Sequence, residues 1–434
     1  MKIAILGFGL QGKSAYDYYK SEGNEIVVCD RYPVSDIPDG IESQIGDNYL
    51  DRLDRFDLIV RSPKVHPKDI VQVNSEHILD KVTSNTNEFF RVCPTRNVIG
   101  VTGTKGKGTT ATLITRMLEA SGLKVHLGGN IGIPPLDLLK GDIQPDDWVV
   151  LELANFQLID LKYSSHIAIC LLVEPEHLDW HTDTDEYYEA KTQLFRNQTA
   201  EDISIYYGVN ENSKRIASTG AARLIPYYQS PGAFVEDDHI SIDGKQVIRL
   251  DEIKLLGKHN WQNVCAAITA AWQIKPDIEA IYKTIRDFSG LAFRIEPIRS
   301  VNGVTYYNDS FASAPPATIA AIEAIKSSKV LIIGGKDRGL DLSALCQSVK
   351  QNSENMRKVL LIGESAERMA QCLSDAGYDN YESGGTNMNQ IVQKASVIAE
   401  NGDSIILSPA FPSFDMFENF EDRGIQFNAA VGNL

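Results

Sequence analysis

Gly100-Val-Thr-Gly-Thr-Lys-Gly-Lys-Gly-Thr-Thr110 is the stretch on which the fold turns. The apolar residues Val98, Ile99 and Val101 lead into it, and a helix-like run, Ala111 to Ala120, leaves it. Strand, glycine-rich turn and helix, in that order, present unsatisfied backbone N–H groups to phosphates. Gly103, Thr104 and Gly106 form the turn, and the two glycines let the backbone come close to a ligand. Lys107 can reach the β- and γ-phosphates, and Thr109 or Thr110 can offer a hydroxyl to Mg²⁺. The spacing departs from the standard Walker pattern, because Gly108 separates Lys107 from the first hydroxyl. A plain glycine-rich turn is the alternative. A lysine and paired threonines ahead of a helix favour phosphate binding over it.

The 434 residues are enough for two to four domains with ample core. The net charge of −16 argues against broad binding to nucleic acid or anionic membranes, so an anionic ligand must meet local positive sites. Six cysteines lie far apart, mostly in apolar runs, and read as small core residues of a reducing compartment, not as a disulfide frame or zinc site. The opening Met-Lys-Ile-Ala-Ile-Leu-Gly runs straight into a glycine turn and is too short in apolar length for a signal peptide. No run is long enough to span a bilayer. A cytoplasmic protein is expected.

Read in order, the chain alternates apolar strands with helices. Lys2 to Leu6, the turn Gly7-Phe-Gly-Leu-Gln-Gly12, a helix to about Ser21 and a strand from Glu25 to Cys29 make a Rossmann-like opening, with Asp30-Arg31 near the place for a ribose hydroxyl. Leu58 to Val60 is a third strand. Ligands of such sheets lie beyond the strand carboxyl ends, so Leu10, Gln11, Asp30, Arg31 and Ser62 would share one crevice, although a solvated turn explains Asp30-Arg31 nearly as well. The pattern restarts with the phosphate loop, which puts a boundary near residue 95. Lys124 to Leu127 is a strand ending at Gly128-Gly-Asn-Ile-Gly132, where Asn130 suits a ligand or a simple turn.

Trp148 to Leu151 ends at Glu152, where a phosphate loop wants a Mg²⁺ ligand; a helix N-terminal carboxylate is the bland reading. Ile167 to Val173 ends at Glu174-Pro-Glu-His-Leu-Asp-Trp-His181, which places His177 among acidic residues at a strand end. Thr184 to Arg196 reads as a helix carrying Lys191. Asn260 and Asn263 precede an alanine-rich helix, Val264 to Trp272, and could read the mixed donor and acceptor edge of adenine, with helix capping by Asn260 a compatible role. Phe293-Arg-Ile-Glu296 opens a third unit, again of strands and helices. Arg294 could reach a γ-phosphate, and Arg338 and Ser413 could hold a carboxylate, or each could be an ordinary surface group.

Together these segments resemble the Mur ligase family across nearly the whole chain. The resemblance rests on ordered motifs: Gly-Thr-Lys-Gly-Lys, Gly-Gly-Asn-Ile-Gly, Glu-Leu-Ala-Asn-Phe-Gln-Leu, His-Leu-Asp-Trp-His, Gly-Lys-His-Asn-Trp-Gln-Asn, Arg-Ile-Glu, Asn-Asp-Ser, Gly-Gly-Lys-Asp-Arg-Gly, and the tail from Ser408 to Gly424. It implies an α/β protein of three domains. Residues 1–95 would be a Rossmann-like UDP-sugar domain, 96–290 a central ATPase with a mostly parallel sheet, and 291–434 a Rossmann-like domain for the amino acid. The implied reaction joins UDP-N-acetylmuramoyl-L-alanine to D-glutamate at the cost of ATP, with Mg²⁺, in a monomer.

By the match, Gly103, Thr104, Gly106, Lys107, Gly108, Thr109 and Thr110 hold phosphates, and Thr109, Glu152, His177 and Lys191 serve the metal, with Lys191 carbamylated. Asn260 and Asn263 read adenine, Asp309 the ribose and Arg294 the γ-phosphate. Leu10, Gln11, Asp30, Arg31 and Asn130 serve the UDP-sugar. Ser313, Arg338, Ser413, Phe414 and Phe420 serve the amino acid. Lys107, His177, Lys191 and Arg294 are the expected catalytic set.

Departures from the family pattern are Gly108, Ala154-Asn155 for two serines, Phe293 for a histidine, Phe311 for the lysine after Asn-Asp-Ser, Ser313 for threonine, and Arg338 for lysine. The phosphate loop also resembles folylpolyglutamate synthases, which would leave residues 1 to 95 without a role. A nicotinamide-dependent oxidoreductase would leave Lys107, Glu152 and His177 unexplained. A nucleotide-binding protein without full ligase activity is the reading that Phe311 suggests.

Overall fold

The computed structural model describes residues 1–34, 37–130, 132–255 and 257–434. They gather into two compact units, one of Met1–Ile253 with Lys258–Phe288, the other comprising Ser289–Leu434.

The first unit opens on five strands: β1 (Lys2–Leu6), β2 (Glu25–Asp30), β3 (Glu42–Ile45), β4 (Leu58–Arg61) and β5 (Val82–Ser84). They form a parallel sheet in the order β3-β2-β1-β4-β5. Ile3, Ala4, Ile5 and Leu6 are wholly buried, because a parallel sheet with helices on both faces has no polar side to alternate with. The helix Leu10–Ser21 lies close to the glycine turn that precedes it. A Cβ at Gly12 would sit 2.0 Å from the Gly7 carbonyl oxygen, so only glycine fits there.

The second sheet has six parallel strands: β6 (Val98–Thr102), β7 (Val125–Gly129), β8 (Trp148–Glu152), β9 (Ile167–Cys170), β10 (Ile203–Tyr207) and β11 (Arg223–Tyr227). Their order is β11-β10-β9-β6-β8-β7, with β6 in the middle. An antiparallel trio follows, β12 (Phe234–Glu236), β13 (His239–Ile242) and β14 (Lys245–Arg249). The helix after β6 begins at Lys107, inside the glycine-rich stretch and earlier than the sequence suggests. The alanine-rich helix likewise starts early, at His259, with Lys258 at its cap position. Asn260 therefore lies in the first turn and is not the cap, which corrects that expectation.

The second unit carries a sheet of β15 (Glu296–Val301), β16 (Val304–Asn308), β17 (Lys329–Gly334), β18 (Met356–Ile362), β19 (Tyr381–Ser383) and β20 (Ser404–Leu407). The order is β15-β16-β20-β17-β18-β19, parallel except for the antiparallel edge pair β15–β16. Here the expectation of six free thiols fails. Cys346 and Cys372 are joined as a disulfide, 6.2 Å apart at Cα, from the helices Ser343–Gln351 and Ala366–Asp375. The helices pack side by side, a proximity that a separation of 26 residues does not reveal. The other four cysteines are free.

Two sheets share the first unit because their faces share a core and one buried ion pair. Ile3, Ile5, Phe8, Tyr19 and Phe89 cluster with Leu136, Leu151 and Leu158. Arg61, at the end of β4, is almost wholly buried. Its Nε and one terminal nitrogen donate to Asp160 at 2.9 and 2.5 Å, and the rest of the fork reaches the carbonyls of Val65 at 2.9 Å and Phe156 at 3.1 Å. Asn87 adds a second tie, donating to the Asp160 carbonyl and accepting from the Lys162 N–H. Removing one partner of such a pair strands a charge out of water. Asp160→Ala is expected to destabilise the protein by about 3 kcal/mol, read as a lower denaturant midpoint; an unchanged midpoint would show that the pair contributes nothing.

Candidate active site

The phosphate loop sits at the carboxyl end of the central strand β6, between β8 and β9. Gly103 and Gly106 have φ of 147° and 89°, in the region that favours glycine. A Cβ at Gly106 would lie 2.1 Å from Asn263 Oδ1, and one at Gly103 would lie 2.7 Å from Leu171 Cβ. The loop is thus fitted on one side to β9 and on the other to the helix that carries Asn260 and Asn263. Asn263 Nδ2 donates to Asn260 Oδ1 at 2.9 Å, so the two carboxamides work as a pair beside the loop. Lys107 Nζ donates to the carbonyls of Gly103 and Thr104 at 3.1 and 3.0 Å. Thr109 is buried within the first helical turn, and the buried Thr110 Oγ1 has no partner. Gly108, also in that turn, adds no side chain there.

Lys191 is brought to the same place from far along the chain. Its Nζ donates to the Gly103 carbonyl at 3.1 Å and lies 4.5 Å above the Tyr187 ring. The side chain is wholly buried. Burial, helped by the charge of Lys107, pulls its pKa down to about 7. Tyr187 in turn shares a 2.8 Å hydrogen bond with Thr104 Oγ1, whose hydroxyl also bonds the Glu174 carbonyl at 2.9 Å. The helix Thr184–Arg196, capped by Asp183, therefore braces the phosphate loop.

Glu152 ends β8 and pairs in register with Val101 of β6, so its carboxylate is at the strand end beside the loop. Asn130 follows β7 next door; its N–H donates to the Glu152 carbonyl at 2.8 Å and its amide lies 3.4 Å from Glu152 Oε1. His177 lies in the loop after β9 with a φ of 58°, and the N–H groups of Trp180 and His181 close a turn onto its carbonyl. Its ring rests 4.8 Å from that of Phe156. Thr109 and Glu152 are hard oxygen donors of the kind Mg²⁺ takes, and the orphaned Thr110 hydroxyl lies in the same turn. The unmodified amine of Lys191 is not such a donor.

Three residues that the sequence does not single out stand behind this loop. His66, His181 and Glu186 bring ligand-type atoms within 4.8 Å of one another. The hydrogen bonds argue against a cation. The Lys68 N–H donates to His66 Nδ1 at 3.0 Å, so the His66 proton is on Nε2, facing Glu186 Oε2 at 3.3 Å. Asn155 Nδ2 lies 2.7 Å from His181 Nε2, which puts the His181 proton on Nδ1, 3.3 Å from the same oxygen. Both nitrogens that would have to give a lone pair are donors, and Lys68 Nζ holds Glu186 Oε1 at 2.9 Å. Burial pushes the Glu186 carboxyl up, but Lys68, the Thr182 N–H and His66 outweigh it and hold its pKa at about 2. Burial pushes the His181 imidazole down. The trio is a hydrogen-bonded clamp. His66 is 120 residues from Glu186, and no pattern of spacing connects them.

At the first sheet, Gln11 Nε2 donates to the Gly129 carbonyl at 3.0 Å, which joins the helix Leu10–Ser21 to the end of β7 and so to Asn130. Leu10 is 62 % exposed beside it. The Asp30 carboxylate accepts from the N–H groups of Phe8 at 2.7 Å and Tyr32 at 2.9 Å, so it braces the glycine turn; Arg31 is exposed.

The second unit gathers its own predicted residues. Asp309, past the end of β16, accepts from the Ile295 N–H at 3.1 Å and the Ser408 hydroxyl at 2.6 Å. Burial pushes its pKa up to about 7 against those bonds. Ser310 Oγ donates to the Phe420 carbonyl, and the buried Arg423 donates to Ser310 Oγ, to the Ser310 carbonyl and to the Phe411 carbonyl. Arg423, which no local sequence pattern marks, thus holds the Phe420 helix start to the end of β16. Ser413 is buried and its carbonyl accepts two turn N–H groups, while Phe414 is 63 % exposed. Ser313 and Arg338 are exposed; Arg338 lies in a loop that Arg368 fastens through Asp337 and the Leu340 carbonyl.

Residues 101–271 match the Mur ligase middle domain, and residues 293–411 match the Mur ligase glutamate ligase domain. Proteins of Clostridium tetani and Acetivibrio thermocellus that carry the name UDP-N-acetylmuramoylalanine–D-glutamate ligase are 30% and 35% identical to this chain. The alignments cover 100% of this chain and 97% and 96% of theirs. The crystal structure of a MurF ligase from Thermotoga maritima in complex with ADP has the same fold, with a TM-score of 0.56 and 14% identity over 99% of this chain and 95% of that one.

The close fit at Gly106 yields a direct expectation. Gly106→Ala should weaken ATP binding by on the order of tenfold or more, because the new methyl demands both a left-handed alanine and displacement of Asn263. Calorimetry with ATP reads it, and wild-type affinity in the variant would count against a loop fitted to Asn263.

Proposed function

The chain belongs to the Mur ligase family, and on that premise we propose that it adds D-glutamate to UDP-N-acetylmuramoyl-L-alanine while ATP is cleaved to ADP and phosphate. The observation that carries this reading is the convergence of Lys107 and Lys191 on the Gly103 carbonyl in a glycine-shaped phosphate loop. The names carried by the full-length relatives support the choice of substrates. Those relatives align over residues 1 to 95 as well, which a folylpolyglutamate-synthase reading leaves idle.

A carboxylate is a poor electrophile at neutral pH. Its oxygen attacks the γ-phosphorus of ATP, ADP leaves, and the acyl phosphate formed has a good leaving group. The D-glutamate amine then attacks the acyl carbon, a tetrahedral intermediate forms, and phosphate departs. Catalysis of such steps is chiefly positioning and neutralisation of phosphate charge. The N–H groups of the turn and first helical turn between Lys105 and Thr109, with the Lys107 ammonium, do this for the phosphates, the N–H groups of Thr104 and Thr110 being taken by the Leu172 and Gly106 carbonyls. Asn260 and Asn263 serve adenine, Asp309 the ribose and Arg294 the γ-phosphate. Leu10, Gln11, Arg31 and Asn130 serve the UDP-sugar, with Asp30 bracing the turn beneath it. Ser313, Arg338, Ser413, Phe414 and Phe420 serve D-glutamate.

Thr109, Glu152, His177 and a carbamylated Lys191 would hold Mg²⁺, which when bound neutralises phosphate charge. The carbamate forms as the Lys191 amine attacks CO₂ and releases a proton. Two ammonium groups aimed at one carbonyl repel each other; one carbamate turns that repulsion into attraction. The three-domain division at about residues 95 and 290 belongs to the same proposal, and each interval carries its own mostly parallel sheet. So do a cytoplasmic location, where ATP is supplied, and a monomeric state. Among the described residues, no helix is long and apolar enough to cross a membrane.

Phosphate release should require ATP, UDP-N-acetylmuramoyl-L-alanine and D-glutamate together, and Lys107→Ala should slow it by about 100-fold or more. Faster release with a different amino acid would move the specificity elsewhere, and turnover untouched in the variant would end the ligase reading. Lys191 should carry a CO₂ adduct. With its pKa near 7, the free amine needed for attack grows as pH rises through 7, so the adduct should form above that pH and be lost below it. Intact-mass or carbon-13 bicarbonate NMR measurements check this, and an unmodified amine at pH 8 with bicarbonate present would contradict it.

A further inference from the structure

We propose that Phe311 is a positioning residue for Arg294, seating its guanidinium and linking it through Phe420 to the amino-acid side of the same unit. The inference deepens the ligase reading and rests on the γ-phosphate role given there to Arg294.

The Arg294 guanidinium carbon lies 4.5 Å from the centre of the Phe311 ring, the geometry in which the negative face of an arene attracts a cation. The ring itself is held. Its edge meets Phe420 at 5.2 Å and 90°, and Phe420 meets Phe293 at 6.4 Å and 79°. The Phe311 N–H donates to the Phe293 carbonyl at 2.9 Å, so the arginine's own turn and the aromatic loop are stitched at the backbone.

The arginine is aimed by a turn that would not persist unaided. Phe293 and Ile295, the residues on either side of Arg294, have φ of 61° and 44°, a conformation that costs a side-chain-bearing residue energy. Three contacts fix it. The Phe293 N–H donates to the Glu296 carboxylate at 2.8 Å. The Ile295 N–H donates to Asp309. Helix residue Gly424 is packed so closely that a Cβ there would lie 2.3 Å from Phe293 Cδ1. The turn before β15, the turn after β16 and the start of the last helix thereby bring together the ribose candidate Asp309, the phosphate candidate Arg294 and the amino-acid candidate Phe420, with the Phe311 ring between the last two.

Binding of a non-hydrolysable ATP analogue and of ADP to the full chain is measured by calorimetry for the wild type, F311L, F311M and F311Y, with melting curves to check folding. F311L and F311M remove the arene while keeping apolar bulk. Each should weaken the ATP analogue by about 5- to 30-fold, the range that a partly desolvated cation–π contact supplies, and ADP by less than about threefold. F311Y keeps the ring face and should stay within about threefold of the wild type. F311M gives the same reading where F311L does not fold. Unchanged analogue affinity in F311L or F311M would overturn the proposal. So would an equal loss for ADP and the analogue, or a F311Y defect as large as that of F311L, since either would mark simple packing. A wild type that binds neither nucleotide would bring down the ligase reading, and this inference with it.

Discussion

One backbone oxygen, the carbonyl of Gly103, receives hydrogen bonds from two lysine side chains that are 84 positions apart in the chain. Like charges crowd together only where something pins them. Here the pins are the left-handed backbone of Gly103 and Gly106, the burial of Lys191 and the Tyr187–Thr104 hydrogen bond. A loop so loaded with positive potential, at the N-terminus of a helix, is poised for a polyanion. Burial also lets Lys191 give up its proton more easily, because its ammonium has neither water nor a close counter-charge.

The loop's surroundings are held by polar groups that cross from the first sheet to the second. Arg61 reaches Asp160 and four carbonyls, and His66 and Lys68 reach Glu186 on the helix that also carries Lys191. The Arg61 and His66 side chains are buried, so either one, on losing its partner, would be left with an unmet charge or donor, whereas Lys68 is half exposed. The first sheet is therefore part of the scaffold of the phosphate site as well as a candidate ligand platform of its own. Glu186 illustrates the point. As one carboxylate in the first turn of a helix it looks like a dipole partner, yet it is the acceptor on which two imidazoles and a lysine converge.

The second unit solves a similar problem with different chemistry. Its strand-end loops are tied by Arg423, Asp309 and Ser408, and the Phe311 ring, edged by Phe420, lies under Arg294. An arginine set against an arene is weakly hydrated and still carries its full charge.

Local pattern made much of this readable from the sequence. Glycines that need left-handed backbone, apolar runs of strand length and a lysine ahead of a helix are dictated by sterics and hydrogen bonding within a few residues, and the phosphate loop, the Rossmann-like opening and the alternation of strands and helices were legible for that reason. Starts of helices were less so: Lys107 and His259 are already helical, since helix formation tolerates glycine and asparagine in a first turn that tertiary contacts support. Only the folded chain decided that β6 lies at the centre with β8 and β9 beside it, that His66 meets Glu186, that Cys346 meets Cys372, and that Phe311 lies under Arg294. Those pairings depend on the order in which strands assemble and on which helix faces meet. They are settled by burial and charge compensation over the whole molecule, and no window of neighbouring residues contains that information.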